Sequence, residues 1–287
     1  MTIHIIFLFN GIGNQLSQYA LYKNLFRDNE KVYLVDNCIV IPGYAEGLDL
    51  LKLSPTLKNK LINYWLARMV ILYVKTLGQN RCKLVKRIAK LTSTFFSIKI
   101  INEKNYNQEK AFINIYIDGW LNKLISNPLG IYDSMFTPYL ENSAIDTSYS
   151  KDGVCAIHFR GGDYLDGGVD SKIYGGVADL DYYRRAIEKM RQERRIHRFI
   201  IFTNDKPRAQ AIFETLDINF VYSCELGCRN FLDDIVGMAM FKNIIISNSS
   251  YSYWSAATFP EKKFVVCPTK YRNIDDNDVY LDQWVAV

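Results

Sequence analysis

Residues 154–164 read VCAIHFRGGDY. An apolar run typical of a buried β-strand ends here and is followed in quick succession by His158, Arg160 and Asp163, with Gly161 and Gly162 between them. Ligands of open α/β sheets bind at the carboxyl ends of the strands. The stretch therefore predicts a central strand of a parallel sheet that carries polar groups at its carboxyl end.

Around this strand, apolar runs alternate with helical patterns. We predict strands at 154–158, 199–203, 219–222, 243–247 and 264–266, and helices at 181–195, 207–216, 232–241 and 250–258. This alternation favours a doubly wound parallel sheet over residues 149–287.

Residues 1–148 open with a second β-α-β pattern. A strand is predicted at 2–9, a helix at 14–28 and a strand at 31–35, with a further strand at 112–117. Residues 139–152 are polar and without periodicity, which predicts a linker. The fold class predicted is therefore α/β with two halves, 1–148 and 149–287, each built on its own parallel sheet.

A basic segment at residues 52–99 lies within the first half. Ser54 and Pro55 favour a helix start, a long apolar helix is predicted over 57–77, and a basic amphipathic helix over 81–91. Charged residues within 57–77 argue against a membrane span. Between Asp49 and Glu103 there is no acidic residue, whereas eleven residues are basic: Lys52, Lys58, Lys60, Arg68, Lys75, Arg81, Lys83, Lys86, Arg87, Lys90 and Lys99.

This charge pattern predicts peripheral contact between residues 52–99 and anionic phospholipid. A solvated helical face is the alternative. Nucleic acid is a poor candidate, because no nucleic-acid-binding motif accompanies the basic residues.

Composition narrows the remaining possibilities. The chain is 49% hydrophobic and 23% charged, which is typical of a globular protein. Six cysteines without a CxxC pair predict free thiols in a reducing compartment, and three widely separated histidines make a His/Cys metal centre improbable. The first ten residues lack a signal-peptide pattern, so we expect a cytoplasmic protein.

Arg160 is the strongest candidate for binding a ligand. Its planar guanidinium suits a phosphate or diphosphate, and the neighbouring glycines permit close approach of the backbone. The alternative is a strand end at which Arg160 simply pairs with Asp163.

Three other polar clusters follow predicted strands or open predicted helices. Residues 247–252, SNSSYS, offer hydroxyls and backbone N–H groups at a helix start, which suits phosphate or an ordinary N-cap. Residues 203–205 offer a carboxylate for a ribose or base, or a turn. Asp233 and Asp234 open a helix, where acidic residues also stabilise the helix dipole.

Two further patterns give weaker signals. Residues 10–15, NGIGNQ, place amides at a helix start but lack the third glycine of a dinucleotide fingerprint. The two Asp-x-Asp triplets, at 179–181 and 276–278, are poor metal candidates, because this spacing arises easily by chance.

Taken together, these segments resemble the bacterial α1,2-fucosyltransferase family. That family has a G-x-G-N-Q-x-x-Q-Y-A signature near its start, which reads GIGNQLSQYA at 11–20. Its H-x-R-R-G-D-Y motif reads HFRGGDY at 158–164, and F-S-D-D reads FTND at 202–205. An acidic helix start, Asp233-Asp234, then precedes N-S-S-F-S-W-W, which reads NSSYSYW at 248–254.

The resemblance implies a GT-B-like fold with two Rossmann-like halves, in which the C-terminal half binds GDP-fucose and no cofactor or metal is required. Transfer of fucose would be inverting, onto a hydroxyl of a bacterial surface glycan such as O-antigen or capsule, O2 of a galactoside by analogy with the family. The basic segment 52–99 would suit a lipid-linked glycan acceptor, which the protein would meet at the inner face of the bacterial membrane.

The same resemblance implies roles for individual residues. Arg160 would hold the β-phosphate with His158 beside it, Ser249 and Ser250 would contact phosphates, and Asp234 the guanine. Asp163 is the candidate general base, or else a partner that orients Arg160. The residues assigned to nucleotide-sugar binding are Asn14, Gln15, Asn204, Asp205, Asp234, Asn248, Ser249, Ser250 and Tyr253.

Gly161 departs from the family pattern, which has a second arginine at this position. Its presence leaves open a different GDP- or UDP-sugar donor, or an inactive glycan- or lipid-binding module. Asn204 and Tyr253 are milder departures. The sequence is silent on the acceptor, the linkage and the oligomeric state.

Overall fold

The computed structural model describes residues 2–8, 10–25, 31–36, 49–62, 64–78, 90–91, 93–94, 97–101, 111–117, 131–258, 263–273 and 279–287. Contacts between Cα atoms divide the chain into two compact units. The first comprises Met1–Leu121 with Ile125–Asn127, and the second comprises Asn122–Leu124 with Pro128–Val287.

The first unit contains a four-stranded parallel sheet in the order β2-β1-β4-β3. Its strands are β1 (Ile3–Leu8), β2 (Lys31–Asp36), β3 (Ile98–Ile101) and β4 (Ile113–Tyr116). Its helices are α1 (Ile12–Leu25), α2 (Leu50–Leu53) and α3 (Tyr64–Gly78), with a 3-10 helix at Pro55–Lys60. The predicted β-α-β opening is confirmed, whereas β3 was not predicted.

The single long helix predicted over 57–77 is wrong. Leu61 forms a parallel bridge to Leu34 of β2, and the Ile62 N–H donates to the Leu34 carbonyl at 3.0 Å. These two residues use their backbone groups on the edge of the sheet, so the helix cannot run through them. The predicted helix over 81–91 lies almost entirely outside the described residues.

The second unit contains a six-stranded parallel sheet in the order β10-β9-β8-β5-β6-β7. The strands are β5 (Val154–Phe159), β6 (Arg198–Thr203), β7 (Phe220–Tyr222), β8 (Asn243–Ile245), β9 (Phe264–Cys267) and β10 (Val285–Ala286). The helices are α4 (Thr137–Glu141), α5 (Val169–Tyr174), α6 (Leu180–Arg194), α7 (Lys206–Phe213), α8 (Phe231–Ala239) and α9 (Ser250–Ala257). A π-helical turn, Tyr132–Phe136, precedes α4, and 3-10 turns occupy Thr147–Tyr149, Gly162–Tyr164, Glu214–Leu216 and Ser223–Leu226.

The strand order of the second unit is that of a Rossmann fold. Counted from β5, it runs 3-2-1-4-5-6, and the direction of winding reverses between β5 and β8. Loops on the two sides of this switch point diverge, which leaves a crevice at the carboxyl ends of β5 and β8. The α/β class with two Rossmann-like halves is confirmed, although β10 was not predicted.

The core of the second unit explains why β5 and β6 read as continuous apolar runs. Every residue of β5 is buried, and one face of its sheet packs against the apolar side of α6. The core cluster there includes Ile157, Phe199, Tyr183 and Ile187. Strands covered on both faces lose the alternation of polar and apolar residues, as parallel sheets generally do.

The predicted linker at 139–152 is ordered and belongs to the second unit. The Tyr139 hydroxyl donates to Asp233 Oδ1 at 2.8 Å, and the Asp146 N–H donates to the Leu226 carbonyl at 2.8 Å. By contacts, the two units therefore divide within 121–128, earlier than the predicted boundary after residue 148. The assignment of the halves to acceptor and donor stays a prediction.

None of the helices in the described residues is both long and apolar enough to cross a membrane. The longest apolar candidate, α3, has 15 residues, whereas a spanning helix needs about 20.

Candidate functional site

The candidate site lies at the carboxyl ends of β5 and β8. His158, near the end of β5, is 4% exposed, and its Nδ1 lies 2.7 Å from the Ser247 hydroxyl, which follows β8. Its ring stacks on Tyr251 of α9, with the centroids 5.3 Å apart. His158 thus joins the two strands that flank the switch point to the helix that follows them.

Burial keeps His158 uncharged. The cost of desolvating an imidazolium, with a smaller contribution from the positive charge of Arg160, lowers the pKa of His158 to about 3. The ring is therefore neutral at neutral pH. It has little contact with solvent and contacts Ser247 and Tyr251, so its assignment as a catalytic residue stays a prediction.

Arg160 is held on two sides. One guanidinium nitrogen, Nη2, donates to both carboxylate oxygens of Asp163 at 2.8 and 3.0 Å, and the guanidinium lies 5.2 Å from the centroid of the Tyr164 ring. The ion pair between Arg160 and Asp163, which the sequence analysis considered as an alternative to ligand binding, is therefore present. The Arg160 side chain nevertheless stays 31% exposed at the mouth of the crevice.

The Nε atom of Arg160 is the unsatisfied group of this site. It is buried and has no hydrogen-bond acceptor among the described residues. A buried donor without an acceptor costs stability unless another group supplies the acceptor. A phosphoryl oxygen beside the guanidinium would satisfy this atom with a charge-assisted hydrogen bond.

Gly161 and Gly162 form a tight turn against the end of β6. The Gly161 N–H donates to Asn204 Oδ1 at 2.9 Å, and the Gly162 N–H donates to Asp205 Oδ2 at 3.4 Å. A Cβ atom at Gly161 would lie 2.6 Å from Asp205 Oδ2 and closer still to the Asp205 Cβ. Asp205 therefore fills the space that a side chain at position 161 would need.

Asp205 has several further partners. Its side chain accepts from the Arg208 N–H and so caps α7, and it also pairs with Arg208 Nη1 at 3.1 Å. The same Arg208 nitrogen reaches Asp166 in the glycine-rich loop at 2.9 Å. The structure thus places Asn204 and Asp205 beneath the loop that carries Arg160, where they brace its backbone.

The polar residues 247–252 after β8 have two different functions in the fold: Asn248 connects neighbouring segments, and Ser249 caps helix α9. Asn248 is 2% exposed, and its amide donates to the carbonyls of Tyr174 at 2.9 Å and Tyr271 at 3.1 Å. Ser249 caps α9 by accepting from the Tyr251 N–H, and Ser250 hydrogen-bonds the Tyr271 hydroxyl. The amino end of α9 therefore begins directly after the segment that follows β8, at the carboxyl end of the sheet, where the helix dipole favours an anion.

Asp233 and Asp234 have different environments. Asp233 accepts from Tyr139, from the Arg229 N–H at 2.8 Å and from the Asn230 amide at 2.9 Å, so it is committed to the fold. Burial raises the pKa of Asp234, as does the charge of Asp233, while a hydrogen bond from Ser223 and the charge of Lys206 oppose the rise. Asp234 is the carboxylate of this pair that a ligand could engage.

Tyr253 is not at the site surface. It is 3% exposed and packs on Trp254 and Trp284, with ring centroids 5.6 and 5.0 Å away. Tyr251 and Tyr164, which sequence reasoning did not single out, contact His158 and Arg160 instead. Their positions inside the quoted motifs were the available signal.

Asn14 and Gln15 lie at the start of α1 in the first unit. Gln15 is 1% exposed, and its amide donates to the Asn10 carbonyl at 2.7 Å while its Oε1 accepts from the Leu50 N–H at 2.9 Å. Both ends of this side chain are bonded within the first unit. Asn14 is half-buried.

The described residues contain no group of three or more His, Cys, Asp or Glu side chains that could hold a metal ion. Asp179 of the first Asp-x-Asp triplet caps α6 by accepting from the Tyr182 N–H at 2.8 Å. The second triplet, 276–278, lies outside the described residues.

Comparisons with known proteins identify sequence and structural relatives. The model of Glycosyl transferase family 11 matches residues 2–287. The O-antigen biosynthesis glycosyltransferase WbnK of Escherichia coli is 32% identical over 133 residues, which are 45% of this chain and 43% of the relative. The chain thus matches less than half the length of that curated relative.

Two solved structures of POFUT1 are similar over most of their length. The complex with GDP-fucose has a TM-score of 0.44 and 8% identity, and covers 92% of this chain and 97% of its own. The complex with GDP has a TM-score of 0.43 and 6% identity, with the same coverage of both chains.

Proposed function

Because the chain belongs to glycosyl transferase family 11, we propose that it transfers L-fucose from GDP-fucose to a hydroxyl of a bacterial surface glycan. The observation that carries this proposal is the unsatisfied, buried Nε of Arg160 at the Rossmann switch point. The diphosphate of a nucleoside diphosphate would supply an anionic oxygen as the missing acceptor for this Nε atom.

Arg160 holds the β-phosphate of the donor in this proposal. Its Nε and Nη groups can form a bidentate pair with two phosphoryl oxygens, a geometry that suits guanidinium. As the bond between fucose C1 and the phosphate oxygen breaks, negative charge grows on the leaving GDP. A fixed cation at that oxygen stabilises the transition state more than the ground state.

The amino end of α9 contributes a second contact with the diphosphate. Ser249 caps α9 and Ser250 is its first residue, so both hydroxyls lie at the positive end of the helix dipole. Asp234, at the first turn of α8, accepts from the guanine edge. Asn204, Asp205 and Asn248 act through the loops that they brace, since their polar atoms are bonded to backbone groups.

The chemical step is a direct displacement with inversion at C1. The acceptor oxygen forms a bond to fucose C1, the C1–O bond to the β-phosphate breaks, and GDP leaves with the bonding pair. The acceptor proton passes to Asp163. When the phosphate engages Arg160 it replaces Asp163 as the partner of the guanidinium, which frees that carboxylate to accept the proton.

We place the reaction in the cytoplasm, at the inner face of the bacterial membrane, with a lipid-linked glycan as acceptor and O2 of a galactoside as the attacked group. The name of the Escherichia coli relative, an O-antigen biosynthesis glycosyltransferase, supports a surface glycan. The basic segment 52–99 supports contact with anionic lipid. No cofactor or metal is required in this proposal.

Calorimetry with GDP-fucose, GDP-mannose, UDP-galactose and GDP, in the presence of EDTA, tests the donor. We expect GDP and GDP-fucose to bind, and Arg160→Ala to weaken binding at least about tenfold, since a hydrogen bond to a charged group contributes about 1.5–3 kcal/mol. Arg191→Ala is the matched control. Arg191 donates to the Asp217 carbonyl at the amino end of β7, whereas the candidate site lies at the carboxyl ends of the strands. Binding of UDP-galactose alone, or equal binding by Arg160→Ala, contradicts the proposal.

Asp163→Asn separates the two roles of that residue. As the base, Asp163 is needed for turnover but not for donor affinity, so kcat falls while the dissociation constant of GDP-fucose stays near that of the wild type. A loss of donor affinity with unchanged kcat identifies Asp163 as an orienting partner of Arg160 instead.

A further inference from the structure

Helix α3 buries one side on the sheet of the first unit. Ala67 and Ile71 are each 3% exposed and pack in a cluster with Phe7, Val35 and Ile115. Residues on this side recur at helical spacing, as a core-facing stripe does.

The opposite side of α3 is also apolar, yet it faces solvent. Trp65, Leu66, Met69 and Leu72 are 71%, 55%, 65% and 61% exposed. Trp65, Met69 and Leu72 are spaced i, i+4 and i+7, so they form one row along the helix. Single exposed apolar residues are ordinary, but a contiguous row indicates a binding surface.

Cations flank this outer row. Arg68 and Lys75, which lie beside this row on α3 itself, are exposed. The sequence from 50 to 102 contains no acidic residue. The outer side of α3 therefore combines an apolar row with basic residues, and α3 itself contains no acidic residue.

We propose that the outer row of α3, formed by Trp65, Leu66, Met69 and Leu72, inserts into the interfacial region of an anionic lipid bilayer. Helices that lie in this region have such a row beside Lys and Arg, and tryptophan favours the boundary between headgroups and acyl chains. The proposal narrows the membrane contact of the proposed function to one helix face, and it does not depend on the identity of the donor.

Charge favours lipid over a second copy of the chain as the occupant. In a two-fold dimer the same patch meets itself, so the basic residues of the two α3 helices would be brought together, and α3 offers no carboxylate to pair with them. Lipid phosphates neutralise the same cations directly.

Co-sedimentation with phosphatidylcholine vesicles, with and without phosphatidylglycerol and at low and high salt, tests the proposal. We expect binding only to vesicles with the anionic lipid, reduced by salt. Trp65→Ser/Met69→Ser lowers the affinity at least about tenfold, and Arg68→Gln/Lys75→Gln lowers it about fivefold per charge. Phe112→Ser, which removes an exposed aromatic outside α3, and Arg185→Gln/Lys189→Gln, which removes the same charge from α6, leave binding unchanged.

Equal loss in the control and α3 variants, or equal binding to vesicles without the anionic lipid, overturns the proposal. So does a change of mass in sedimentation velocity, caused by the α3 variants without any effect on vesicle binding, because it identifies a second copy as the occupant. Circular dichroism and thermal unfolding of the same variants show that they remain folded, and calorimetry with GDP measures donor binding in the second unit. It also separates failure of this proposal from failure of the donor assignment.

Discussion

At the carboxyl ends of β5 and β6, the Asp205 side chain occupies the space that a side chain at position 161 would need. The family pattern has an arginine at position 161, and the absence of this arginine leaves the identity of the donor open at the level of sequence. In the structure, Asp205 fills the space beside Gly161 and accepts a hydrogen bond from the Gly162 N–H. The glycine is thus matched to its neighbour, and its presence alone is no argument for a different donor.

Gly161→Ala tests this match. The added methyl group would overlap Asp205, so we expect a loss of about 1–3 kcal/mol in the free energy of unfolding, together with weaker GDP binding. Gly168→Ala is the control, because no atom lies within 4 Å of a Cβ placed there and the backbone has a negative φ. Denaturant unfolding and calorimetry measure both variants, and equal stability of the two would show that Asp205 yields without cost.

His158 makes the stability of the second unit depend on pH. Its pKa in the folded protein is about 3, below the value of about 6.5 in an unfolded chain. As pH falls below about 6.5, the unfolded state binds a proton that the folded state does not. Stability is therefore lost with falling pH, by about 1.4 kcal/mol per unit down to about pH 3.

His158→Gln removes this dependence. Between pH 6.5 and pH 4 we expect the slope of unfolding free energy against pH to decrease by about 1.4 kcal/mol per unit relative to the wild type. His197→Gln is the control, since it removes a histidine at the amino end of β6. A slope that His158→Gln leaves unchanged would mean that the ring titrates normally in the folded protein.

At the scale of elements, Asn248 connects three segments near the site. Its single amide bonds the end of α5 and the loop at Tyr271, while its backbone precedes the capping residue of α9. The loop that follows Arg160 is therefore tied to the helix proposed to bind the diphosphate. Through this connection we expect Asn248, which has almost no solvent contact, to influence the candidate site.

Asn248→Ala removes a buried hydrogen bond to the Tyr271 carbonyl and a partly buried one to the Tyr174 carbonyl. We expect about 1–3 kcal/mol of lost stability, and weaker GDP binding because α5 and α9 lose their connection. Asn142→Ala, which removes one exposed amide hydrogen bond to the Pro138 carbonyl, changes stability little. Thermal unfolding and calorimetry measure the pair, and normal GDP affinity in Asn248→Ala would limit its role to stability.

At the scale of the whole molecule, two parallel sheets carry different charge patterns. The first unit contains the acid-free segment, and the second contains the candidate nucleotide site with the buried His158 and the half-buried Asp234. Assignment of donor binding to the second unit is a prediction that the full chain can test.

Hydrogen exchange of the full chain, with and without GDP, tests whether the second unit binds the nucleotide. We expect GDP to slow exchange at residues 160–164 and at the first turn of α9, because ligand contacts stabilise these segments against local opening. The amides of α3 serve as the internal reference and keep their rates. Protection confined to residues 10–15 would instead place the nucleotide on the first unit.

The sequence by itself determined five of the six strands of the second unit, its four longer helices and the positions of its chemistry. Buried parallel strands read as continuous apolar runs, and β5, β6 and α6 begin and end within a residue or two of prediction. Arg160 and His158 were identified because polar residues directly after such a strand must lie at its carboxyl end.

Only the tertiary structure decided what those residues contact. The break at Leu61 depends on the edge of β2, and the order of residues 139–152 depends on Asp233 and Leu226, partners far away in the sequence. The burial of Tyr253 and the overlap of Asp205 with Gly161 likewise depend on packing between distant elements. Local patterns report the periodicity of one element, whereas these outcomes depend on which surfaces meet when the elements pack.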